Sequence, residues 1–340
     1  MIEADALREI EDQDWDGSLH SLGLADVYLG RGYARAAAIQ EAAEPVLLLH
    51  EGAAGGIVFP LLLRRVPDAS GCTDVITPHG YGGPIGVGPS PPWTAFRDAY
   101  ERWCRGRGVV TTFVRFHPRY RNHLHAGPTM EVRSLAGTVG WRIDAGRDLL
   151  AQMHSHHRRY ARIAEREGVE TTCRPADDEG LARFRPLYGA TMRRVGASSY
   201  YDLPDRYWRR LHDGVGRRLL LAEAYGVDGS LLAAALLFDA RPWLHYHLGG
   251  STEEGRRVNA TVLLFLEVAR RAQADGFEVF HLGGGVGGSE DSLLRWKRRF
   301  DAGGVLDAAV GRQVNDPSSY GRLTDGIEAS GFFPAYRRRT

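Results

Sequence analysis

The sequence predicts an α+β protein made of two related domains. Three observations carry that prediction. Two helical segments in the second half are followed by three consecutive strand-like runs with tight turns, an antiparallel meander. The chain as a whole does not read as strict alternation of strand and helix. Both halves share the order hairpin, helix, strand. The chain has 340 residues, 43% apolar and 25% charged, enough to fill two cores.

Each element has its own local reason. In the first half, EPVLLLHE (44–51) and GGIVFPLLLRRV (55–66) are apolar runs joined by a short turn, which predicts a hairpin. TAFRDAYERWCRGRG repeats apolar residues at helical spacing and stops at Gly108. VVTTFVRFHP is β-branched and ends at Pro118, a strand. After RSLAGTVGWRIDAG (133–146) the pattern restarts. DLLAQMHSHHRRYARIAEREG predicts one long helix closed by Gly168, and VETTCRP a strand. DDEGLARFRPLYGATMRRVG and PDRYWRRLHDGVG predict two further helices. The run from Arg218 to Gly250 predicts three strands turning at VDGS and DARP. NATVLLFLEVARRAQADG reads as an apolar helix, FEVFHLGG as a strand, SEDSLLRWKRRF as a helix and GGVLDAAVG as a strand. The boundary is placed between Gly140 and Gly146. Domain one is then residues 1–145, with the tail 318–340 packing back on it, and domain two is 146–317.

Composition excludes several function classes. The formal net charge is +1, so the chain is neither a polycation nor an acidic tail. No apolar run approaches the roughly 20 residues of a membrane span. The acidic opening MIEADALREIEDQDWDG lacks the apolar region of a secretory signal. Cys72, Cys104 and Cys173 are widely spaced, which offers neither a disulfide framework nor a zinc ribbon and points to a reducing cytoplasm. Among 43 basic residues Lys297 is the only lysine. Lysine is a compact point charge where arginine is a wide fork, so a lone survivor marks a candidate functional position.

The glycine run Gly283–Gly288 satisfies G-x-G-x-x-G after a strand and before a helix. The following helix is too charged to pack closely on a sheet, and no crossover unit precedes it. The run therefore reads as a strand exit that lets a ligand approach the backbone. His245 and His247 alternate on one strand without a third ligand, and His154, His156 and His157 do not share a helix face, so no metal is implied. Arg158, Arg159, Arg162 and Arg166 recur at offsets of three and four, a basic stripe suited either to solvent or to phosphate.

Four segments, taken in order, resemble FemABX-type aminoacyl-tRNA-dependent transferases, which join two GNAT-like acyltransferase domains. They are TPHGYGGPIG at 77–86, the Arg-rich HHRRYARIAEREGVE, FRPLYGATMRRVGASSYYDLPDRYWRRL, and FEVFHLGGGVGGSEDSLLRWKRRFDAG. The resemblance implies mixed central sheets flanked by helices and transfer of an amino acid from a tRNA 3′ end to an amine. It implies no metal or organic cofactor. Lys297 falls on the lysine of the closing pattern, with Trp296 before it, and is implied to hold negative charge near the reaction centre. Arg194, Tyr200 and Tyr201 match a segment implied to bind the diphosphate of a nucleotide-linked peptide acceptor. Tyr246 and His247 are implied to line the acceptor cleft, with His247 a candidate base. Arg158, Arg159, Arg162 and Arg298 are the candidate tRNA phosphate contacts. The long helical arm of many relatives is absent, because the helices flanking Pro204 are short. A monomer is expected. The competing expectation is a GNAT-type N-acyltransferase using acyl-coenzyme A. Against it, STEEGRRVNATVLL (251–264) has the wrong glycine spacing for a pyrophosphate loop and puts Glu253 and Glu254 toward an anion.

Overall fold

The computed structural model describes residues 7–126, 130–328 and 331–338; the first six residues of the acidic opening and four positions of the expected tail lie outside them. The chain divides into two compact units, residues 1–135 with 308–340 and residues 136–307.

The first unit begins with β1 (Leu7–Glu9), α1 (Trp15–Ser21) and α2 (Arg31–Glu41). The hairpin β2 (Ala43–Gly52) and β3 (Gly55–Arg65) follows, then β4 (Thr73–Ile76) and β5 (Ile85–Val87). α3 (Trp93–Gly106), β6 (Val109–Arg115) and β7 (Glu131–Ser134) complete this stretch. The second unit comprises β8 (Thr138–Arg142), α4 (Leu149–Gln152), α5 (Ser155–Arg166), β9 (Glu170–Pro175), α6 (Asp178–Arg194) and α7 (Asp205–Val215). The meander β10 (Leu219–Tyr225), β11 (Leu231–Ala240) and β12 (Trp243–Ser251) comes next. Then come α8 (Glu253–Arg257), α9 (Ala260–Ala274), β13 (Val279–Gly283), α10 (Ser292–Arg298) and β14 (Val305–Leu306). The chain finally returns to the first unit as β15 (Ala309–Val314) and α11 (Pro317–Leu323).

Each unit is built on one mixed sheet. In the first the order is β1-β2-β3-β4-β6-β15-β7, with β5 paired to β3. In the second it is β14-β8-β13-β12-β11-β10-β9. The parallel pairs are β4 with β6 and β12 with β13. Alternation sorts the second sheet's side chains. Ala222 and Ala224 of β10, Ala233, Ala235 and Leu237 of β11 and Leu244 of β12 join the core with α5 and α9. Leu221, on the alternate face of β10, meets α6 at Gly180.

Three sequence expectations are corrected. The boundary falls at 135/136, because β8 pairs with β13 and β14 and so belongs to the second sheet. Residues 308–317 belong to the first unit, because β15 pairs with β6 and β7; the strand expected over 303–311 is therefore two strands in two sheets. The long helix over 148–168 is two helices. The backbone is extended at Met153 and His154, where Met153 is buried and the Arg158 guanidinium donates to the carbonyls of Leu150 and Met153. The His154 ring then accepts the N–H of His156, capping the second helix. In the tail, Arg337 Nε donates to Asp74 at 2.7 Å.

Candidate active site

The site forms where two neighbouring strands part. β12 and β13 pair only through Trp243–Val279, Leu244–Phe280 and His245–His281. Beyond that register β12 continues along β11 as far as Ser251, and β13 continues along β8 at Gly283. The register of β11 against β12 shifts between Leu236 and Leu237, a bulge in which His247 is the extra residue of β12. Gly250 sits where α6 crosses: a side chain there would press on Thr191 Oγ1 and the Leu187 carbonyl at 2.9 and 3.0 Å.

Lys297 projects from the last turn of α10 into this opening. Its residue is 5% exposed. Nζ donates to the Gly284 carbonyl at 2.7 Å and lies 5.6 Å from the centre of the Tyr246 ring. Among the described residues no carboxylate pairs with it. Burial lowers its pKa to about 8, with Asp291 pulling the other way. The helix and the glycine loop are tied by Asp291, the α10 N-cap. One carboxylate oxygen accepts Leu294 N at 2.8 Å and the other accepts Val286 N at 2.9 Å. Burial opposes ionisation of Asp291, but these backbone donors hold it below the ordinary carboxylate range. Gly285 must lack a side chain, since a Cβ would collide with the Ser289 carbonyl and the Asp291 carboxylate.

Neighbouring aromatic rings fix the lysine's helix. Trp296 packs on Phe265, Phe300 and His157 at ring distances of 5.7, 5.1 and 5.4 Å, and so works as a wedge under α10. His157 is buried and pushed down to about 4, first by burial and then by Arg299. In its neutral form the ring donates Nε2–H to the Trp296 carbonyl at 3.1 Å. Tyr246 is half-buried against Phe265, and burial pushes its phenol up to about 12.

The remaining candidate residues divide into two groups. Tyr246 and Trp296 come together with Lys297. His247 does not: its ring stacks on Phe238 at 4.3 Å and its Nε2 meets the Tyr207 hydroxyl of α7 at 3.3 Å. Arg194 ends α6 beside Arg256, whose Nη1 donates to the carbonyls of Ser251 and Thr252 at the end of β12. Burial and then the neighbouring Arg256 charge lower the Arg194 pKa. Among the described residues neither guanidinium forms an ion pair with a carboxylate, an arrangement suited to an anion. Tyr200 and Tyr201 form the turn after α6 with their rings edge to face at 5.3 Å. On α5, Arg159 and Arg162 are exposed with Arg166, whereas Arg158 is spent on backbone carbonyls. Arg298 is likewise engaged, with Glu290 at 2.7 Å and the Ala136 carbonyl at 3.1 Å. The sequence reading did not single out Tyr188, a residue of α6 itself; its position three residues before Thr191 on the buried stripe was the available signal.

Residues 151–298 match the acetyltransferase (GNAT) domain family. The chain is built of two GNAT-like domains. The resemblance to FemABX-type proteins is borne out in the fold by the solved structure of FemX. It is similar at a TM-score of 0.68 and 15% identity, over 93% of this chain and 99% of that one. The C-terminal domain of a putative lysylphosphatidylglycerol synthetase from Agrobacterium fabrum is similar at a TM-score of 0.57 and 12% identity, over 93% and 95% of the two chains. A tandem GNAT protein from the clavulanic acid biosynthesis pathway is similar at 0.53 and 12%, over 92% and 98%. No curated protein sequence matches significantly. The tandem GNAT-like fold thus carries an acyltransferase domain whose last matched turn includes Lys297. No helix among the described residues is long and apolar enough to cross a membrane.

Proposed function

We propose that this protein transfers an aminoacyl group from the 3′ end of an aminoacyl-tRNA to an amine of a peptide or nucleotide-linked peptide, forming an amide. The observation that carries the reading is the buried Lys297 ammonium at the parting of β12 and β13, held by the Gly284 carbonyl and the Tyr246 ring.

Attack of an amine on an ester carbonyl passes through a tetrahedral oxyanion. A fixed cation in a dry site stabilises that charge by on the order of 3 kcal/mol, far more than it would in water. With a pKa of about 8 the lysine is mostly charged at neutral pH. The forming N–C bond replaces the ester C–O bond, and the ribose 3′-oxygen leaves with the proton lost by the amine. Arg194 and Arg256 at the end of β12 are suited to a diphosphate on the acceptor, and the exposed Arg159 and Arg162 to tRNA phosphates.

The loop after β12 speaks against acyl-coenzyme A as donor. Its first helix, α8, has five residues, and the Gly255 N–H is already taken by Thr252 Oγ1 at 2.9 Å. Glu254 faces Arg257, so the pair is neutral. The N–H that the glycine of this turn would offer a pyrophosphate is therefore occupied.

The test is label transfer. The protein is mixed with total tRNA charged with labelled amino acids and a small-molecule extract as acceptor pool. Label in an RNase-resistant, base-stable product, lost in Lys297→Ala, supports the reading. Transfer from acetyl-coenzyme A but not from tRNA would replace it with plain N-acylation.

A further inference from the structure

Each end of an open sheet exposes a row of backbone donors and acceptors, and proteins usually keep such edges short or covered. Of the strands that end the two sheets, β9 is the longest, with six residues against four for β7, three for β1 and two for β14. Ala176 N–H donates to the Leu219 carbonyl at 2.8 Å, and β9 pairs with β10 from Pro175 back to Glu170 without a shift of register. Alternation therefore turns the backbone groups of Thr172 and Arg174 toward β10 and those of Thr171 and Cys173 outward. Glu170 and Thr172 are exposed, and Thr171 and Cys173 are half-buried.

Charge is unevenly placed along this edge. Glu170 begins the strand and Arg174 lies four residues on, so both stand on one face. Glu170 forms no ion pair among the described residues, whereas Arg174 reaches Asp177 and, at 3.6 Å, Glu223. The layer between β9 and α9 repeats the polarity. A hollow of about 570 Å³ beside Thr171 is lined by Glu267. It adjoins another of about 410 Å³ beside Pro175, where Arg217, Arg218 and Arg241 outnumber Asp239 and Asp275. Cys173 and Val268 line both hollows, and Val268 is apolar and buried.

A strand that is acidic at one end and basic at the other is complementary to its own antiparallel copy. With Thr172 on the two-fold axis, Glu170 comes opposite the second copy's Arg174, and Thr171 opposite its Cys173. The same register aligns the outward groups. Thr171 and the second copy's Cys173 exchange N–H to carbonyl bonds, while Thr172 faces itself in the position without such bonds. A slip of one residue sets outward groups against inward ones and loses the charge pairs. Charge and hydrogen bonding thus select one register. The edge strand β7 also carries both signs, but its Glu131 and Arg133 already pair with each other at 2.6 Å.

We propose that β9 is a self-association edge, through which two copies of this chain join antiparallel over residues 170–174 and fuse their second sheets. The dimer replaces the monomer expected from the sequence, and it does not depend on the transfer reading. β9 lies three strands from β12 in the sheet order, so the contact leaves the Lys297 opening free. A single strand pair is a small contact, and the association is reversible at roughly micromolar concentrations.

The experiment has two arms. Sedimentation velocity over about a hundredfold range of protein concentration compares wild type with Glu170→Arg. Wild type is expected to pass from monomer to dimer, and Glu170→Arg to weaken the dimer by about tenfold or more, because it sets like charges opposite each other. Glu170 is exposed, so the reversal spares the fold. The second arm is cross-linking with diamide, which oxidises paired thiols to a disulfide. Thr172→Cys in a Cys173→Ser background brings the two thiols into the pair whose Cα atoms are about 4.5 Å apart, within disulfide reach. It is expected to form covalent dimers, while Ser289→Cys in the same background, exposed in the loop after β13, is not. A wild type that stays monomeric throughout overturns the inference, even if an unrelated extended peptide adds to the edge. A dimer unchanged in Glu170→Arg, or a Thr172→Cys cross-link no faster than that of Ser289→Cys, also overturns it. Label transfer from tRNA is indifferent to every one of these outcomes.

Discussion

Lys297 Nζ lies 2.7 Å from the carbonyl oxygen of Gly284, so the chain's only lysine is hydrogen-bonded to its longest glycine run. A neutral carbonyl and an aromatic face are modest compensation for removing an ammonium from water. The buried charge therefore opposes folding.

That relationship has a stability consequence with a definite sign. The lysine pKa is about 8 folded and 10.5 unfolded, so between those values the unfolded chain binds more protons and stability rises with pH. At pH 7 the buried charge costs the fold about 3 kcal/mol, at 1.36 kcal/mol per unit of pKa. Lys297→Met, of similar length and no charge, is expected to raise stability at pH 7 by about 1–3 kcal/mol and to flatten the rise between pH 8 and 10.5. Urea unfolding at a series of pH values reads both. A variant less stable than wild type at pH 7 contradicts the account.

The same charge sets an activity profile. If the cation stabilises the developing oxyanion, kcat/KM for transfer falls as pH rises through about 8, on top of any rise caused by deprotonation of the acceptor amine. Lys297→Arg, which cannot deprotonate, is expected to lose roughly 10²-fold or more at pH 7 because its fork does not fit, and to show no fall near pH 8. A wild-type profile that stays level from pH 7 to 9.5 with a pre-deprotonated acceptor speaks against an ammonium at the oxyanion.

Much of this was legible in the sequence, for a physical reason. The meander, α9 and the glycine exit are local patterns, and the single lysine was conspicuous against 43 basic residues. The exchange of strands between units was not, because β14 and β15 are separated by two residues, and nothing in VLDAAV says that it serves two sheets. Arg158 was a candidate phosphate ligand by its spacing on the helix, and Arg298 by the family resemblance. Their guanidiniums reach backbone carbonyls because a helix break at Met153 and the loop at Ala136 between β7 and β8 leave acceptors nearby, which no periodicity encodes. The resemblance implied a shared site for His247 and Lys297, yet the rings of Phe238 and Tyr207 hold His247 elsewhere.

The arginines of α5 separate two roles on one helix. Arg159 and Arg162 are exposed, while Arg158 caps the end of α4. Arg159→Glu with Arg162→Glu is expected to weaken tRNA binding and to lower the slope of log affinity against log salt by about 1–2, leaving the melting temperature near that of wild type. Arg158→Ala is expected to do the reverse, costing about 1 kcal/mol of stability with the salt slope unchanged. Filter binding at several salt concentrations, alongside thermal unfolding, reads both. Equal salt slopes in wild type and the double variant would remove the stripe from the tRNA path.

Asp301 and Arg142 show how the strand β8 is locked beneath the site. Asp301 is 3% exposed, and its carboxylate accepts Arg142 Nε at 3.1 Å, Arg142 N at 3.3 Å and Gly303 N at 3.0 Å. The turn it organises closes α10 onto β8 and so holds the lysine's helix from its far end. Arg142 is partly exposed, so its charge is screened and contributes little by itself. The backbone donors matter more, because Asp301→Ala strands two of them. Asp301→Ala is therefore expected to destabilise by about 2–3 kcal/mol, and Arg142→Gln by less than about 1 kcal/mol. Loss of rigidity should also raise the Lys297 pKa toward its ordinary value as water enters, shifting the activity fall above pH 8. Unfolding midpoints and pH–rate profiles of the two variants test both parts. An Arg142→Gln cost as large as that of Asp301→Ala would assign the energy to the ion pair instead of the turn.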